Sequence, residues 1–114
     1  MSKIAIQLKP EPIRTLAFGS VIAGYTAVGT ALDNPSRILI INNFTDGDLM
    51  FSLDGIDDHL AIAGPGSLIL DITSNKGVAG GLYLAQGTII YVKRIDTPTE
   101  GGVYISSFYG DSGY

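Results

Sequence analysis

The sequence predicts an all-β domain, an antiparallel, jelly-roll-like β-sandwich of eight to ten short strands. Three observations lead there. Apolar and β-branched residues recur in short runs, several of them alternating with period two. Fifteen glycines and clusters of Pro, Asn and Asp separate those runs. No stretch between runs holds a 3.6-residue period, which excludes strand–helix–strand units.

Taken in order, residues 3–8 alternate, with Ile4, Ile6 and Leu8 apolar. Pro10 and Pro12 then hold an extended segment poor in hydrogen bonds. Residues 1–12 are therefore expected to be an N-terminal arm or an edge strand, 13–109 the sandwich domain, and 110–114 a C-terminal tail. Glycines at 19, 24 and 29 interrupt residues 13–32, so strands are expected at 14–18 and 25–32 with a bend between. Residues 33–36 form a turn around Pro35.

Residues 37–55, RILIINNFTDGDLMFSLDG, organise the chain and read as a β-hairpin. Ile38 to Ile41 suit a buried strand. Leu49, Phe51 and Leu53 share one face of a second strand, with Met50, Ser52 and Asp54 on the other. Gly47, flanked by Asp46 and Asp48, supplies the turn. Further strands are expected at 59–62, at 67–72 with Leu68, Leu70 and Ile72 on one face, at 82–84, at 88–94 and at 103–109. Polar, glycine-rich loops fill 73–81 and 95–102.

Composition narrows the function classes. At 114 residues one domain is expected. Charged residues make up 16%, against about 25% in ordinary domains. The surface must therefore be uncharged or be covered by partners. The net charge is −4 with scattered Lys and Arg, so direct nucleic-acid binding is not expected. The absence of cysteine excludes disulfides and thiolate chemistry. The first twelve residues lack the apolar core of a secretory signal, and no run is long enough to span a bilayer as a helix.

No constellation carries an obvious chemistry. Asp46, Asp48, Asp54, Asp57 and Asp58 crowd thirteen residues but do not match the twelve-residue calcium loop. They are expected to bond their own turns. His59, the single histidine, has Asp57, Asp58 and Ser52 nearby. Neighbours along one strand rarely build a nucleophile–base pair, so a loop histidine is the preferred reading. The glycines at 64–66 and 77–81 lack the phosphate-loop grammar. Tyr83, Tyr91, Tyr104 and Tyr109 offer a sugar- or base-stacking surface, against the ordinary reading of half-buried strand tyrosines.

The run INNFTDGDLMFSLDG at 41–55 resembles small virion proteins of tailed bacteriophages, followed in order by LILDITSN at 68–75, GTIIYVK at 87–93 and GVYIS at 102–106. Within that class the likeness is to the jelly-roll capsid cement, or decoration, proteins of short-tailed phages. The resemblance implies a non-enzymatic structural protein on the capsid exterior, made in the host cytoplasm, without cofactor or metal. Its partners would be the major capsid protein and copies of itself. The candidate contact residues are Ile4, Ile6, Leu8, Pro10, Pro12, Phe44, Tyr109 and Tyr114, with both termini expected to reach outside the sandwich. A head-to-tail adaptor or tail component is the alternative within the class. A small carbohydrate-binding β-sandwich is the alternative outside it.

Overall fold

A computed structural model describes residues 7–71 and 84–111. Nine strands occur among them: β1 (Gln7–Pro10), β2 (Arg14–Ala17), β3 (Thr26–Ala27), β4 (Ser36–Asn43), β5 (Leu49–Ser52), β6 (Leu60–Ile62), β7 (Gly66–Asp71), β8 (Tyr91–Arg94) and β9 (Gly102–Asp111). All pairings are antiparallel. One sheet is ordered β1/β2–β9–β4–β7, with β1 and β2 lying end to end along β9. The other is ordered β3–β8–β5–β6. With β1 and β2 counted as one interrupted strand, every connection crosses between sheets except β5 to β6. That is the jelly-roll order, and the expected all-β sandwich is the fold.

Leu39 and Ile41 of β4 and Val103 and Ile105 of β9 face Leu49 and Phe51 of β5 and Val92 of β8. All seven are fully buried. The predicted bend near 19–24 begins with a short 3-10 turn at Phe18–Ser20. The strand expected over 25–32 shortens to β3. Past it, Val28 and Leu32 donate single bonds to Ile90 and Thr88, and Gly29 turns the chain at a φ of 70°.

The predicted hairpin is not one. β4 pairs with β7 and β9, whereas β5 pairs with β6 and β8. Residues 44–48 arch from one sheet to the other. Leu39, Ile41, Leu49 and Phe51 point into one shared core, and period-two alternation is the same for a hairpin as for an arch.

Of the two readings of residues 1–12, arm or edge strand, the described residues take the second. Gln7–Pro10 is an edge strand registered on Asp111 through Phe108, with Leu8 opposite Gly110. The next residue, Glu11, donates its N–H to Ser107 O. By alternation the Pro10 nitrogen faces away from β9, where no ladder bond is lost. Gly110 and Asp111 belong to β9 and not to a tail. Ile4, Ile6, Ile72, Tyr83 and Tyr114, the loop at 73–81 and most of the strand at 82–84 lie outside the described residues.

Candidate functional site

Asn43 is one of the side chains that hold the arch at 43–48. Asn43 is fully buried and its amide nitrogen donates to Gly47 O and Ile62 O, both at 2.9 Å. Its Oδ1 accepts from the Thr45 N–H at 3.0 Å and lies 2.6 Å from the Thr45 hydroxyl. One amide thus ties the end of β4 to the arch and to β6. Phe44 rides on top, 51% exposed, with its ring 5.5 Å from that of Tyr104 and tilted 49°. Below it, a Cβ on Gly101 would stand 1.9 Å from Phe44 O, so only glycine fits there.

A second clasp closes the break between β1 and β2. Glu11 and Arg14 are both buried and meet at 2.8 Å. Arg14 also donates to Thr30 O at 2.7 Å and Ala31 O at 2.9 Å. Glu11 accepts from the Asn34 N–H at 2.9 Å, the Asn34 side chain at 3.0 Å and the Asp33 N–H at 3.3 Å. Burial raises the Glu11 carboxyl, but the bonds from Asn34, Arg14 and Asp33 and the Arg14 charge outweigh it, so it titrates below 4.5. An open depression of about 250 Å³ lies beside the clasp, lined by Pro12, Ile13, Arg14, Thr15, Gly29, Thr30 and Asp33. Most of the guanidinium is already engaged by the protein.

The acidic run folds over the outer face of the four-stranded sheet. Ser52 and Tyr91 pair across β5 and β8 on that face, and the turn after β5 covers them. Gly55 sits so close that a Cβ would meet the Tyr91 ring at 3.1 Å. Asp54 Oδ1 accepts from the N–H groups of Ile56 at 2.8 Å and Asp57 at 3.0 Å and from the Ser52 hydroxyl at 2.8 Å. Those bonds hold its carboxyl down to about 2. Asp58 accepts from the Tyr25 hydroxyl and, at 3.0 Å, from Lys93, whose ammonium lies 4.7 Å over the Tyr25 ring. Burial and the bond to Asp58 push the Tyr25 phenol up to about 12. Asp54 bonds its own turn as expected. Asp46 and Asp48 do not. They reach across to the Thr99 N–H at 2.7 Å and the Gly64 N–H at 3.3 Å.

His59 is drawn into this turn without the geometry of a base. Its Nδ1 accepts the Leu53 N–H at 2.9 Å, and its Nε2 lies 3.9 Å from Asp54 Oδ2. Ser52 Oγ is 3.5 Å from that occupied nitrogen, buried, and donates to Asp54 while accepting from Gly55 N–H at 2.9 Å. One atom each of Asp54, Asp57 and His59 falls within 4.8 Å of the others, all on exposed residues.

The outer face of the five-stranded sheet is different. Its register rows are Pro10–Phe108–Ile38–Asp71, then Ser106–Ile40–Ile69, then Thr15–Tyr104–Asn42–Ser67. A bulge at Ser36/Ile38 turns Ser36 inward and Ile38 outward. Leu8 and Phe44 extend the apolar surface at its two ends. Ile69 is 61% exposed and Leu8 49%. Ile38, Ile40 and Phe108 are half-buried, and among the outward register positions only Asp71 is charged.

Of the candidate contact residues, Leu8, Pro10 and Phe44 therefore adjoin one surface. Pro12 is exposed in the break after β1. Tyr109, half-buried, alternates to the opposite side of β9 from Phe108. The described tyrosines do not converge: Tyr104 faces out from one sheet, Tyr91 faces out from the other, and Tyr109 shares the Ser36 side. Sequence reading missed the Glu11–Arg14 clasp and the outward Ile38 and Ile40, whereas Ile69 lies on the face opposite Leu68 and Leu70, as the alternation of that strand predicts. The signal for Ile38 and Ile40 was in the chain, since an unbroken Ile–Leu–Ile–Ile run makes both faces of a strand apolar. Compared with known proteins, the chain matches no family model, no curated protein and no solved structure.

Proposed function

We propose that the protein is a non-enzymatic structural component of a bacteriophage particle, a capsid cement or decoration protein that stabilises neighbouring capsid subunits from the shell exterior. The observation that carries the reading is the strand order, because the jelly roll is the fold that the resemblance in residues 41–55, 68–75, 87–93 and 102–106 implies. Folds are shared by many functions, so the order supports a class and not a partner. The low charge and the exposed Leu8, Phe44 and Ile69 suit a protein that works in contact with others. The engaged Ser52 hydroxyl and His59 Nδ1 favour a structural turn over a nucleophile and its base. The dispersed tyrosines do not favour the carbohydrate-binding alternative.

Co-sedimentation with purified capsid shells tests the proposal. The expected result is stoichiometric recovery with shells and a raised shell melting temperature. Recovery only in the supernatant overturns it. Rings or tubes of the isolated protein would move it to an adaptor or tail component.

A further inference from the structure

We propose that the end of the sandwich where residues 44–48 and 95–101 cross side by side is a docking strip. Its occupant is a short extended segment of another protein that carries lysine or arginine between large apolar side chains. The inference stands whether or not the protein attaches to a shell.

Two crossings build the strip. Residues 44–48 pass from the five-stranded sheet to the four-stranded one, and residues 95–101 return beside them. Phe44 donates its N–H to Gly102 O, Asp46 Oδ1 accepts from the Thr99 N–H at 2.7 Å, and Asp48 O accepts from the N–H groups of Ile95 and Asp96. Gly47 and Gly101 let the two backbones touch, since a Cβ on either would fall within 3 Å of the other crossing. Thr45 and Gly47 are buried, while Phe44, Asp46 and Asp48 alternate with them into solvent. Ile95, Asp96 and Glu100 are exposed on the returning crossing. Phe44 and Ile95 are each 51% exposed. They stand at opposite ends of the strip, about the 10 Å apart that separates packed sheets. Phe18, also exposed, donates its N–H to Gly101 O on the far side of that glycine from Phe44 and widens the apolar end.

The charge between those apolar ends selects the occupant. Residues 44–48 and 95–101 contain no Lys or Arg. Among the described residues, none of Asp46, Asp48, Asp96 and Glu100 forms an ion pair. Asp46 and Asp48 accept only from neutral groups, so their charge is not cancelled. Arg94, just before Ile95, balances one of the four. The acidic turn at 53–59 differs, because Asp58 is paired with Lys93 at 3.0 Å and a single large apolar side chain, Ile56, stands exposed there. An uncompensated acidic strip repels nucleic acid, an anionic bilayer and the same end of a second copy, and it attracts a basic segment. Arginine suits it best, since its charge meets the carboxylates while its plane stacks on the open Phe44 ring. About 10 Å is spanned by roughly three extended residues at about 3.3 Å each. The matching segment therefore places its cations on those residues and an apolar side chain at either end.

Titration of the isotope-labelled protein with the end-capped peptide GFRKRLG, followed by amide NMR shifts, tests this. The expected result is a saturable shift confined to residues 44–48, 95–101 and Phe18. It should weaken between about 0.01 and 0.15 M salt, as the screening length falls from about 30 to about 8 Å. The peptides GFEKELG, with its arginines reversed, and GSRKRSG, without apolar ends, should each bind at least about threefold more weakly. Asp96→Lys and Glu100→Lys reverse a charge on the strip and leave the bonds between the two crossings in place. Each should weaken GFRKRLG by at least about threefold, the upper range for one exposed ion pair, and Phe44→Ser should do the same. Asp57→Lys, on the other acidic turn, should leave binding unchanged. The three strip variants and the two control peptides test the same contact separately, so one variant that fails to fold leaves the others to decide. No shift at about 10 mM peptide, ten times the millimolar range, overturns the proposal. So do shifts centred on residues 53–59, equal binding of either control peptide, or folded strip variants that bind as the wild type does.

Discussion

Asn43 ties the end of β4 to the crossing between sheets and to β6. Replacing it with Ala takes the side-chain donor from Ile62 O, leaves Gly47 O to the Thr45 hydroxyl, and removes the acceptor of the Thr45 N–H. Asn43→Ala should cost about 2–3 kcal/mol in urea denaturation, since unsatisfied buried groups cost about 1–3 kcal/mol each and relaxation recovers part. Phe51, fully buried at the centre of β5, should cost about 3–5 kcal/mol when cut to Ala. A loss near zero would mean that the core is not where β5 places it. At the clasp, Glu11→Ala strands a buried guanidinium and should cost about 3–5 kcal/mol. The same carboxyl sets an acid limit. Its folded value lies below 4.5, so the unfolded chain takes up the proton first. Its contribution is complete above 4.5 and is lost as pH falls through the folded value. The acid-side slope of stability against pH should flatten in Glu11→Gln.

At the scale of elements, β1 is integral. Deleting residues 1–12 removes a paired strand and Glu11 together. The truncated protein should melt well below the full chain, and an unchanged melting temperature would show that β1 contributes nothing. Gly101→Ala meets both the Phe44 carbonyl and a φ of 86°, and should cost well over about 1 kcal/mol. The acidic turn gives a basic-side signature. Tyr25 is raised to about 12, so its neutral form is favoured by folding. That stabilisation is whole below about 10 and is lost as pH rises through about 12. Absorbance titration should show Tyr25 ionising late, and Asp58→Asn should bring it earlier. His59→Ala removes the acceptor for the Leu53 N–H and should loosen this turn without unfolding the core.

At the scale of the whole molecule, residues 53–59 fold over the outer face of one sheet, and the outer face of the other carries exposed Ile69 and Leu8 beside half-buried Ile38, Ile40 and Phe108. The exposed group of Asp54, Asp57 and His59 is already engaged by backbone N–H groups at Asp54 and His59. A chelator should therefore leave the melting temperature unchanged, and a fall of several degrees would assign a cation to that turn. Much of this was legible in the chain. The alternation at 49–53 and 67–71 correctly placed Phe51 and Leu68 toward the core, because a strand's two faces follow directly from residue order. The turn signals at Pro35, Gly55 and Gly64 bounded the strands for an equally local reason, the few backbone conformations that those residues require or allow.

What the sequence determined by itself, then, was the β class, the alternation of β5 and β7 and the turns at Pro35, Gly55 and Gly64. All of these rest on interactions within a few residues. Which strand pairs with which was decided only in three dimensions. An arch and a hairpin at 43–49 share one hydrophobic pattern, and in the arch Asn43 reaches Ile62 O, nineteen residues away. The Glu11–Arg14 clasp formed because the loop at 30–34 came to lie against it. The apolar face arose because β9 and β7 brought Phe108 and Ile69 beside Ile38 and Ile40. Long-range partners of this kind leave no period in the chain, since their spacing is set by topology and not by the geometry of a single strand.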